Sequence, residues 1–137
     1  LYRPEQLLEM LAEADFVVVT LPLTDATNGL FGREQFAAMK PSAYFINVSR
    51  GAVVQEEPLL ECLKAGRIAG AGLDVFVEEP LPAANPFWDL PNVIITPHLA
   101  AISPVYLDRA VKLFAENLSR YIADQPLLTP IDKVRGY

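Results

Sequence analysis

Residues 43–54, AYFINVSRGAVV, pass without alternation from an apolar segment into a polar turn. A short apolar run rich in β-branched and aromatic residues fits a strand covered on both faces, as in a parallel sheet flanked by helices. Asn47, Ser49 and Arg50 then stand at its exit, where a guanidinium is seldom buried unless paired. Working outward, FVVVTL (16–21) is a second such strand upstream, and IAGAGLDV (68–75) and NVIIT (92–96) are two more downstream. GREQFAAM (32–39) and QEEPLLECLKAG (55–66) read as helices between them, the second stopped by Gly66. Ahead of the first strand, RPEQLLEMLAEAD (3–15) places Leu7, Leu8, Leu11 and Ala14 on one helical face, with Pro4 suited to a first turn. Strands alternating with helices predict an α/β protein with a parallel sheet and right-handed crossovers.

Two segments depart from that rhythm. VFVEEPLPAANPFWDLPN (75–92) carries prolines at 80, 82, 86 and 91, which forbid helix or inner strand, so it reads as a long ordered loop of the kind that serves function. Ser103 and Pro104 give a cap and first-turn signal for a long helix with Leu107, Val111, Phe114, Leu118 and Tyr121 on its inner side.

The composition sets bounds. The chain has 137 residues, of which 52% are hydrophobic and 20% charged, enough for one domain with a core. A formal net charge of −6 without a basic run argues against a nucleic-acid partner. The single cysteine, Cys62, falls on the apolar side of a helix, which excludes a disulfide and a cysteine-based metal site and points to a buried thiol. No apolar run reaches the length of a membrane span and no signal-like segment opens the sequence, so a reducing cytoplasm is expected.

All strands of a parallel sheet end along one edge, and ligands of open α/β sheets bind there. The residues at those exits are Leu21 and Pro22; Asn47, Ser49 and Arg50; Asp74; and Thr96 and His98. Glu79 follows Asp74 in the proline-rich loop and reaches the same crevice. Each has an ordinary alternative: a solvated surface arginine, a packing histidine, a loop-capping aspartate, one exposed acid among many. Together they make a chemical set. A carboxylate beside an imidazole favours the protonated ring and aims it. Such a ring gives a proton to a developing alkoxide. An arginine fork matches a carboxylate. The combination describes reduction of a 2-oxo acid.

In order and spacing, LPLTDATNGLFG (21–32), MKPSAYFINVSRGAVV (39–54), GAGLDVFVEEPLP (70–82) and LPNVIITPHLAA (90–101) resemble the second half of the D-isomer-specific 2-hydroxyacid dehydrogenases. That family includes glyoxylate/hydroxypyruvate reductases and phosphoglycerate dehydrogenases. The resemblance implies a catalytic set of Arg50, Glu79 and His98, and no metal. It implies an NAD or NADP site touching Leu21, Pro22, Thr27, Val48, Ser49, Arg50, Asp74, His98, Ala100 and Ala101. It also implies a small 2-oxo acid or 2-hydroxy acid substrate, a homodimer in the full-length parent, and two regions. Residues 1–102 correspond to the C-terminal half of a Rossmann-type NAD(P)-binding domain, and 103–137 to a long helix and tail that return to a substrate domain.

The departures from the family pattern are Ala100 and Ala101, where many members have glycines, and Gln55, where an acid is common. More consequential is the lack of a G-x-G-x-x-G turn in these 137 residues to receive a pyrophosphate. The chain is therefore expected to represent an enzyme without its first βαβ half. By itself it should be inactive and prone to self-association through uncovered apolar faces. A dinucleotide-sensing scaffold of the corepressor type and a non-catalytic remnant remain as alternatives at this level.

Overall fold

The computed structural model describes residues 1–134 and resolves two compact units, one spanning Leu1–Ala100 and the other beginning at Ala101. The first is a four-stranded parallel sheet with helices in the connections. Its strands are β1 (Phe16–Val19), β2 (Tyr44–Asn47), β3 (Gly70–Leu73) and β4 (Val93–Ile95), lying side by side in chain order. Before them α1 (Leu7–Glu13) continues a 3-10 turn at Pro4–Gln6; α2 (Arg33–Ala38) and α3 (Glu56–Lys64) follow β1 and β2. Gly66, at φ +61°, stands just beyond α3, in the left-handed conformation that ends a helix cheaply only in glycine. The register pairs Val19 with Asn47, Asn47 with Leu73 and Leu73 with Ile95, so all four strands finish level and open their following loops onto one edge.

The core lies on one side of this sheet. Leu11, Phe36, Phe45, Leu59 and Ile68 are fully buried, and the Phe45 ring meets Phe31 and Phe36 edge-on with centroids 5.2 Å away in each case. Burial of each such side chain is worth about 1.5–3 kcal/mol. Cys62 is buried as a free thiol, and burial pushes its pKa up.

Several expectations are corrected. β1 is not covered on both faces: Val17 and Val19 are buried, whereas Phe16 and Val18 are 66% and 55% exposed. Phe16 stacks on the half-exposed Tyr44 of β2 at 5.7 Å, and Ile94 of β4 is also open. The run of β-branched residues records a strand built for two covered faces, of which the described residues cover one. Leu8 falls outside the buried face of α1, which is made by Leu11 with Leu7, Met10 and Ala14. The proline-rich loop holds a 3-10 turn at Pro86–Asp89, possible because Pro86 sits in its first turn, where its missing N–H costs nothing, and Asn85 Oδ1 accepts from Phe87 N–H at 3.0 Å.

In the second unit, α4 (Tyr106–Ile122) starts later than the Ser103–Pro104 signal suggests. Ser103 accepts the Tyr106 N–H through its backbone carbonyl at 3.0 Å, making a turn ahead of the helix, and Val105 occupies the cap position. Leu107, Val111, Phe114, Leu118 and Tyr121 do not form an inner side; all five are exposed. A single helix and its return turn have no second layer against which to bury such a stripe. After the helix, Asn117 holds the chain against α4: its Oδ1 accepts from Leu128 N–H at 2.8 Å and its Nδ2 donates to Thr129 Oγ1 at 3.1 Å. Of the expected region 103–137, the last three residues lie outside the described ones. No helix among the described residues is long and apolar enough to cross a membrane.

Candidate active site

Four loops leave the level strand ends, and backbone geometry locks those after β2, β3 and β4 together. After β3, the Asp74 carboxylate is buried and collects the turn that follows β4. Its Oδ1 accepts from the Thr96 hydroxyl and from Leu99 N–H at 2.8 Å, and its Oδ2 accepts from Ala100 N–H at 2.9 Å. Those N–H groups face it because His98 is left-handed, with φ 55°, while the His98 N–H donates to the Asp74 carbonyl at 2.8 Å. A non-glycine residue in that region is held there by its surroundings. Burial pushes the Asp74 carboxyl up, but the bonds from Thr96, Ala100 and Leu99 and the nearby His98 outweigh it and leave the pKa below the ordinary range.

The sign of this shift gives a stability prediction. A depressed folded-state pKa adds stability that is present above the unfolded carboxyl value, about 3.9, and is lost as pH falls through the lower folded value. Asp74→Asn turns a donor toward donors and should cost about 1–3 kcal/mol near neutral pH. It should also remove the part of acid destabilisation that Asp74 contributes. Urea unfolding at neutral and acid pH measures both, and equal midpoints in the two proteins at both pH values would contradict this role.

The Asp74 clasp sets the His98 side chain opposite Glu79. Nδ1 lies 2.7 Å from Glu79 Oε2, and Glu79 Oε1 accepts from Phe76 N–H at 2.9 Å. The bond to His98, then that to Phe76, hold Glu79 below its usual pKa against the opposing effect of burial, and the Arg50 charge adds to the same direction. An ionised carboxylate only accepts, so Nδ1 is the protonated nitrogen and Nε2 is the ring position left for a ligand. Among the described residues Nε2 has no protein partner. Beside the pair lies a cavity of about 510 Å³ whose lining includes Phe76, Glu79, Leu81, Trp88, Ile95 and His98.

Arg50 leaves β2 on the neighbouring loop. It is exposed, and its Nη1 donates to the Ser49 carbonyl at 2.7 Å. That loop rests on the one carrying Glu79: a Cβ on Gly51 would stand 2.0 Å from Phe76 C, and Glu56 Oε1 at the start of α3 accepts from Val77 N–H at 2.8 Å. Ser49 is buried, and Val48 donates its N–H to the Val19 carbonyl at 3.2 Å. Leu21 and Pro22 are exposed at the exit of β1. Thr27 is half-buried, with its hydroxyl spent within the loop on Pro22 O at 2.7 Å and Thr24 N–H at 2.8 Å. Ala100 lies on the Asp74 carboxylate, and Ala101 opens the second unit. Gln55 donates its amide to the Gly29 carbonyl at 2.9 Å, a bond that an ionised acid at this position could not make.

Residues 1–100 match the family described as D-isomer specific 2-hydroxyacid dehydrogenase, NAD binding domain. The chain belongs to the D-isomer specific 2-hydroxyacid dehydrogenases. Among curated relatives, glyoxylate/hydroxypyruvate reductase B of Pectobacterium carotovorum is 60% identical over 92 residues, which is 67% of this chain and 29% of that protein. Glyoxylate reductase of Korarchaeum cryptofilum is 46% identical over 110 residues, 80% of this chain and 33% of that protein. Among solved structures, a D-isomer specific 2-hydroxyacid dehydrogenase from Xanthobacter autotrophicus Py2, in complex with NADPH and MES, superposes with a TM-score of 0.92 at 44% identity, covering 100% of this chain and 56% of that one. The NADPH-dependent glyoxylate/hydroxypyruvate reductase of Sinorhizobium meliloti, in complex with NADP and sulfate, gives 0.91 at 40% identity, covering 99% and 44%. The chain thus spans about a third of the length of these curated reductases. The likeness extends through the parallel sheet and its strand-end loops; the α/β parallel sheet expected from the strand pattern, and the Rossmann-type fold that the resemblance implied, are those of this family.

Proposed function

We propose that these residues serve an NAD(P)H-dependent reductase of small 2-oxo acids, such as glyoxylate or hydroxypyruvate, working reversibly on the D-2-hydroxy acid. The observation that carries this reading is the His98–Glu79 pair at 2.7 Å on the same sheet edge as the exposed Arg50 guanidinium. Arg50 takes the substrate carboxylate in a two-pronged contact, placing the adjacent carbonyl beside His98. The imidazolium, held by Glu79, gives the Nε2 proton to the oxygen as the alkoxide develops and recovers it in the reverse direction.

A dinucleotide fits this edge in part. Leu21 and Leu23, 39% and 43% exposed at the β1 exit, offer apolar surface to a base, with Pro22 and Thr27 beside them. Val48, Ser49, Asp74 and Ala100 would border the nicotinamide. When bound, the reduced nicotinamide supplies the hydride. The complexes of the Xanthobacter and Sinorhizobium enzymes favour the phosphorylated cofactor. The same reading makes the protein a cytoplasmic homodimer.

The test uses the protein expressed from its whole reading frame. Reduced cofactor should be consumed with glyoxylate or hydroxypyruvate and not with aldehydes or ketones that lack the carboxylate. Arg50→Lys keeps the charge but loses the fork. It should raise KM for the oxo acid and lower turnover together, by about tenfold or more in kcat/KM. Unaltered kinetics in that variant, or equal use of compounds without a carboxylate, would refute the assignment.

A further inference from the structure

Resting on the reading of Arg50 as the carboxylate-binding group, we infer that Asn47 is the positioning residue that sets where this guanidinium stands. Asn47 closes β2 on its buried face, continuing the inward side shared by Phe45, and is 1% exposed. An amide at such a core position costs free energy unless its polar atoms are paired. All of its side-chain bonds go to the loop that carries Arg50. Oδ1 accepts from the Ser49 N–H at 3.0 Å and from the Ser49 hydroxyl at 2.8 Å, while Nδ2 donates to the Arg50 carbonyl at 3.1 Å.

The arginine head closes the same unit from the other side, since Nη1 donates to the carbonyl of Ser49, the residue that Asn47 grips. Side chain and main chain of Arg50 therefore share one anchor. An apolar residue of similar size would satisfy the core and leave the loop unheld. An aspartate would keep the two bonds from Ser49 but turn an oxygen toward the Arg50 carbonyl. Only an amide of this length supplies an acceptor for the first residue and a donor for the second. Asn47 has no route to substrate of its own; it acts through Arg50.

The experiment compares Asn47→Asp and Asn47→Ser, each alone and combined with Arg50→Lys, in the protein expressed from its whole reading frame. Two readouts are taken: order of the Arg50 guanidinium, from relaxation of its side-chain N–H signals, and KM for oxo acid and for cofactor separately. Loosened guanidinium order is expected in both Asn47 variants, with oxo-acid KM raised about tenfold and cofactor KM within about twofold. In the Arg50→Lys background the same changes should add less than about twofold, the non-additivity of residues that act as one unit. Equal factors in both backgrounds, a parallel fall of all kinetic constants with the melting temperature, or an equally ordered guanidinium would overturn the inference. If no protein turns over an oxo acid but the guanidinium still loosens, the clasp stands and the functional reading falls.

Discussion

His98→Asn, in the protein expressed from its whole reading frame, should lower oxo-acid turnover by about 100- to 10,000-fold, the contribution of a positioned general acid. The asparagine can still sit opposite Glu79, so folding and cofactor affinity should stay close to the original. Glu79→Gln tests the partner. The 2.7 Å contact places an ionised carboxylate on Nδ1, and an amide there removes the negative charge that favours the imidazolium. Reduction draws its proton from this ring, so oxo-acid turnover should fall by about tenfold or more in the Gln variant. Phe76 N–H keeps an acceptor if the amide oxygen faces it, which separates this effect from simple collapse of the loop. Unchanged turnover in the Gln variant would remove Glu79 from this role.

Gly51→Ala should be among the most damaging single changes in the chain. The added methyl would lie 2.0 Å from Phe76 C and 2.2 Å from Phe76 O, which are backbone atoms that cannot swing aside. The two loops must part. That separation costs about 3 kcal/mol or more and moves Arg50 away from Glu79 and His98 at the same time. Urea unfolding should show a lowered midpoint, with activity falling further than the loss of folded protein explains. An unchanged midpoint would mean that the loops are not packed as described.

Much of this arrangement is legible in the sequence, and the legible part has a common cause. Parallel strands all point one way, so the residues after each apolar run collect on one edge, and Arg50, Asp74 and His98 can be placed there from order alone. Glu79 joins them because it stands only five residues beyond Asp74 in a loop stiffened by proline. What stays hidden depends on contacts between loops. Gly51 is not legible as a spacer, since its neighbour Phe76 lies in another loop, whereas the partners of Asn47 stand only two and three residues on, and it is the burial of its amide that shows they are spent on Ser49 and Arg50. Asp74 is legible as a strand-end acid, but not as the acceptor of Leu99 and Ala100 N–H groups, which requires the left-handed His98 backbone. Burial is misread for the same reason. The apolar pattern of β1 and α4 states what each element is suited to touch, and the exposure of Val18 and Val111 reflects which surfaces the described residues provide.

Product analysis of one reaction tests most directly whether His98 protonates a 2-oxo acid as the nicotinamide is oxidised. Protein expressed from its whole reading frame is mixed with reduced nicotinamide cofactor and hydroxypyruvate, and the oxidised cofactor and each enantiomer of the hydroxy acid are quantified together. Equal amounts of oxidised cofactor and D-hydroxy acid are expected in the original protein, and neither above background in His98→Asn. Cofactor that binds without being oxidised in the presence of the oxo acid, or turnover that survives His98→Asn, would contradict this role of His98.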